Sequence, residues 1–172
     1  MNIGQPNEKF ADLLKGAKRR CLNFPGSDQS EGPFWNKEGD VIEQANGLPL
    51  DATLLVVDLG DGKFRLAENP CFDDLTTLFW GDEFYATETQ SSGLQINKIA
   101  LPLNFKHQTS IVGGKIDVHS EHFKKIIESG GNWELIAGGF LITSVPLDVL
   151  NEQRFQTHSN FRLLVQKVAE AP

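Results

Sequence analysis

The stretch SEHFKKIIESGGNWELIAGGFLITSVP, residues 120–146, holds a helix and a hairpin in quick succession, and the fold is read outward from it. Ser120 stands where an N-cap belongs, because its side-chain oxygen can accept a bond from an unpaired first-turn amide. Phe123, Ile126 and Ile127 follow at i, i+3, i+4 spacing and mark one apolar helix face. Gly130-Gly131 ends the helix, since glycine readily takes the left-handed conformation of a C-terminal cap. Residues 132–137 and 140–145, joined through Gly138-Gly139, read as the two strands of a hairpin.

Outward from that core, residues 106–112 read as a strand ahead of the helix. Pro146 can open a second helix over 147–155, and residues 160–168 have strand character. The order β-α-β-β-α-β is that of a ferredoxin-like split βαβ unit. It predicts a four-stranded antiparallel sheet over 105–168 with both helices on one face. Phe123, Ile126, Ile127, Leu135, Leu141 and Val145 are the expected core. This fold hosts many unrelated functions, so it assigns no chemistry.

Upstream, Phe10, Leu13, Leu14 and Ala17 recur at helical spacing and predict an amphipathic helix over 7–20. Asn7 is its candidate cap, and Lys18, Arg19 and Arg20 suit the negative end of the helix dipole. Residues 24–33 are turn-rich. From Leu50 the chain becomes β-rich. Strands at 53–57 and 63–66 flank Gly60-Asp61-Gly62, and strands at 83–87 and 94–99 flank Ser91-Ser92-Gly93. Two such hairpins suggest a small curled sheet or partial barrel. The expected fold class is therefore α+β, with an N-terminal helix over 1–20, a β-rich subdomain over 21–103 and a ferredoxin-like subdomain over 104–172. Leu101-Pro102-Leu103-Asn104 is the expected boundary.

The chain has 172 residues, 40% hydrophobic and 23% charged, which is ordinary for a soluble globular protein. No apolar run approaches the ~20 residues of a membrane span, and the N-terminus lacks the order of a signal peptide. Two widely spaced cysteines, Cys21 and Cys71, read as reduced thiols, which suits the cytoplasm. The net charge of −7 is unevenly spread. Residues 21–88 hold fourteen Asp and Glu side chains against Lys37, Lys63 and Arg65, a balance of −11. Such a segment repels phosphate backbones and attracts a basic protein surface.

Motifs for chemistry are sparse. His119 and His122 stand at i, i+3 without a third ligand or the H-E-x-x-H order, so no metal is expected. Gly113-Gly114, Gly130-Gly131 and Gly138-Gly139 lack a following Lys-Ser/Thr, so no phosphate-bound cofactor is expected either. Asp73, Asp74, Asp82, Glu83 and Glu88 offer carboxylates, and Trp35 beside Phe34 is a candidate anchor, as tryptophan is common in interface hot spots.

Gly62-Lys63-Phe64-Arg65-Leu66-Ala67-Glu68-Asn69-Pro70, followed by Trp80-Gly81-Asp82-Glu83-Phe84, resembles a bacterial family of uncharacterised proteins. His107 with Thr109 and Ser110, and a strand ending in Val145-Pro146, resemble its second half. The resemblance spans about residues 53–168 and departs from the pattern at Ala67-Glu68 and Gln108. It implies a fold and transfers no catalytic residues.

Two functions are expected from these readings. The first is a non-catalytic module that presents acids to a basic protein partner, as an immunity or antitoxin-type neutraliser does. Its binding residues are Trp35, Asp73, Asp74, Asp82, Glu83 and Glu88, with no nucleic acid or membrane partner. The second is a small-ligand-binding or hydrolytic enzyme using His107 in a cleft between the two β units.

Overall fold

The computed structural model describes residues 16–25, 33–42, 50–70, 78–111, 117, 119–136 and 140–149. These residues divide into two compact units, with the boundary after Leu103. The first unit contains β1 (Lys18–Phe24), β2 (Leu50–Gly60), β3 (Lys63–Leu66), β4 (Glu83–Glu88) and β5 (Leu94–Ile99), closed into a barrel in that order. Successive strands pair antiparallel, so the fifth runs in the same sense as the first. Closure is accordingly parallel, through Leu22 opposite Leu94 and Asn23 opposite Gln95.

Alternation along each strand explains the barrel core. Leu22 and Phe24, Leu54 and Val56, Phe64 and Leu66, Phe84, and Leu94 and Ile96 all point inward and are buried. The intervening positions face outward, the period-2 pattern of a strand with one face on a core. The β2–β3 turn runs through Gly60, Asp61 and Gly62, all at positive φ. Two-residue hairpin turns favour such angles because they match the strand twist.

The parallel seam is short, and a separate arm lies beside it. Asp40 bridges Lys98, the Ile99 amide donates to the Gly39 carbonyl at 2.7 Å, and the Val41 amide donates to Asn97 at 3.3 Å. The arm turns on Asn36, whose Oδ1 accepts from the amides of Glu38 and Asp40 at 3.0 Å. Phe34 at its base is fully buried in the barrel. Gly39 sits at φ +85°, and a Cβ there would lie 2.2 Å from the Ile99 carbonyl oxygen. Only glycine fits that approach.

The second unit is a three-stranded antiparallel sheet in the order β6 (Phe105–Ile111), β8 (Phe140–Pro146), β7 (Asn132–Ile136), with helix α1 (Glu121–Glu128). Phe123 and Ile126 of α1 pack on Trp133, Leu141 and Val145. The Phe123 and Trp133 ring centroids are 4.6 Å apart. Gly130, at φ +87°, closes the helix, and the Gly131 amide donates to the Ile126 carbonyl at 2.9 Å.

The expected fold class needs correction. The described residues are mostly β, with one short helix, and do not form an α+β chain with an N-terminal helix and a ferredoxin-like half. Lys18, Arg19 and Arg20 begin β1 rather than end a helix, because seven consecutive register pairs with β2 override the helical spacing. Residues 7–15 lie outside the described residues. Leu147 to Val149 form a turn, with the Leu147 amide donating to the Asn104 carbonyl at 2.9 Å. Residues 150–172, which carry most of the expected second helix and all of the fourth strand, lie outside the described residues. Ser120 holds the N-cap position but makes no side-chain capping bond.

Candidate functional site

The outer face of β3 and β4 carries a cluster of charged side chains. Phe64 and Phe84 point inward, so their neighbours Lys63, Arg65, Glu83 and Tyr85 point outward. Register sets Arg65 beside Glu83 and Lys63 beside Tyr85, and Tyr85 in turn beside Lys98 of β5. Glu83 is shared by two cations. Lys63 Nζ lies 2.6 Å from Oε2, and the Arg65 guanidinium donates to Oε1 through Nε at 3.1 Å and a terminal nitrogen at 2.5 Å. Lys63 Nζ also stands 6.0 Å from the Tyr85 ring centroid.

Burial pushes the Glu83 carboxyl up, but hydrogen bonds and charge from Lys63 and Arg65 outweigh it and hold the group below its ordinary value. The same bond to Glu83 raises Lys63 above its ordinary value. A carboxyl depressed in the folded state stabilises it above the unfolded value, and that contribution is lost as pH falls through the folded one. Replacing Glu83 by Gln should therefore cost stability at neutral pH, about 1–3 kcal/mol, because two part-buried cations lose their charged acceptor. The gap between wild type and variant should shrink once the pH falls below the ordinary carboxyl value of 4.5. Urea denaturation across that range checks both points, and a pH-independent gap would refute the charge argument.

The other expected binding residues fall in different places. Trp35 is half-buried against the barrel core, with its ring 4.9 Å from that of Phe34 in an edge-on arrangement. Asp82 is buried, and its carboxylate accepts from the Phe79 amide at 3.0 Å, so it shapes the turn rather than the surface. Glu88 is exposed and pairs with Arg20 at 2.8 Å. Asp73 and Asp74 lie outside the described residues, as does Cys71. Among the described residues, Asp82, Glu83 and Glu88 thus make three separate sets of contacts.

Residues that the sequence reading missed bear on the surface as much as those it named. Glu68, nearly buried, accepts from Arg19 at 2.9 Å and from the Leu55 amide at 3.2 Å. Asp58 and Asp61 flank the turn between β2 and β3 and are exposed, with Leu59 between them 39% exposed. Strand parity around Phe64 and Phe84 was the available signal for Lys63, Arg65 and Tyr85.

In the second unit, His107 and Asn132 flank Ser144 in one cross-strand row. His107 Nδ1 and Ser144 Oγ are 2.8 Å apart. Ser144 is fully buried, so this hydroxyl fixes the imidazole and is not open to a substrate. His119 is exposed and His122 half-buried. No three His, Cys, Asp or Glu side chains among the described residues are grouped to hold a metal ion. No described helix is long and apolar enough to cross a membrane.

No protein-family model matches the chain, and no curated protein sequence matches it. Among solved structures, it is similar to a hypothetical protein from Neisseria gonorrhoeae, with a TM-score of 0.50 and 12% sequence identity. The match covers 86% of this chain and 90% of that one. At that identity the likeness is one of fold alone.

Proposed function

We propose that this chain is a non-catalytic, cytoplasmic protein-binding module that docks a basic partner, as an immunity or antitoxin-type neutraliser would. The carrying observation is how charge is distributed on the barrel. Arg19, Arg20, Lys63, Arg65 and Lys98 are each paired with an acid of the same unit. Glu38, Asp51, Asp58 and Asp61 are exposed and make no ion pair with another described residue, and the exposed Lys18 and Lys37 offset two of these four charges. The surplus that reaches an approaching protein is then acidic, in keeping with the −11 balance of residues 21–88. Half-buried Trp35 supports the reading as the candidate desolvated anchor. Membership of the bacterial family that residues 62–84 resemble belongs to the same proposal, and brings no catalytic residue with it.

Replacing Asp51, Asp58 and Asp61 together by Lys should slow association with a captured basic partner several-fold at low salt. Exposed charges act on the encounter more than on folding, and salt screens them. Association rates measured against salt, with urea midpoints as the folding control, decide it. A rate unchanged by the reversal, or capture of acidic proteins only, would sink the reading.

A further inference from the structure

We draw no further inference here: the strongest candidate, the outer edge of the arm at Trp35, whose own amide and carbonyl are turned away from Val41, carries nothing, because Pro33 limits strand pairing there and nothing among the described residues shows what covers it.

Discussion

Replacing Phe84 by Ala should destabilise the barrel unit by about 3–5 kcal/mol, the range for removing a buried aromatic ring. Phe84 is fully buried in β4, between partners on β3 and β5, and its ring stacks on Phe64 at 5.9 Å and 24°. Burial of the ring contributes about 1.5–3 kcal/mol of that, and the cavity left behind supplies the rest. A closed barrel also resists collapse onto the cavity, because each strand is tied on both sides by its ladder. Phe84→Leu, which refills most of the volume, should lose less than half as much. Urea unfolding of both variants gives the comparison. Equal losses for the two would mean that contacts other than the ring dominate at this position.

Local signals in this chain were strong and global ones weak. The hairpins around Gly60-Asp61-Gly62 and Ser91-Ser92-Gly93 were legible because turn glycines and alternating apolar residues carry their own physics. The helix at Glu121–Glu128 and the strands at Asn132–Ile136 and Phe140–Pro146 were legible for the same reason. Barrel closure was not. It depends on β1, where Lys18, Arg19 and Arg20 also suit the end of a helix, and only pairing with β2 chooses between the two. Periodicity upstream, from Phe10 to Ala17, tipped the reading to helix. The arm at 33–42 was equally hidden, since its pairing with β5 joins residues more than fifty positions apart.

At the candidate site the sequence showed which residues are charged but not how each charge is used. Asp82, Glu83 and Glu88 read alike as acids near a strand. Folding gives them three different roles: a buried turn-former, the shared acceptor of two cations, and an exposed ion-pair partner. The difference follows from strand parity and cross-strand register. Glu83 meets Arg65 only because β3 and β4 pair in the register that stacks Phe64 on Phe84. Asp58 and Asp61 differ again, since at the end of β2 and in the turn after it they are exposed and neither pairs with a described cation.

Helix α1 gives the other large effect. The i, i+3, i+4 spacing placed Ile126 and Ile127 together on the apolar face, but the structure ranks them: Ile126 is 4% exposed and Ile127 lies at the edge of the contact. Ile126→Ala should cost ~2–5 kcal/mol, and Ile127→Ala less than half of that. The surroundings of Ile126 have little freedom to close on a cavity. Its carbonyl accepts from the Gly131 amide at 2.9 Å and from the Ser129 hydroxyl at 2.6 Å. Gly131 is itself pressed against β8, where a Cβ would lie 2.3 Å from the Ser144 carbonyl oxygen. The end of the helix is thus held on the sheet by backbone contact, and a missing side chain leaves a void rather than a shift. Chemical denaturation of the two variants measures the order. If Ile127→Ala proved the more damaging, the helix would be rotated on its sheet relative to the packing of Phe123 and Ile126 on Trp133, Leu141 and Val145.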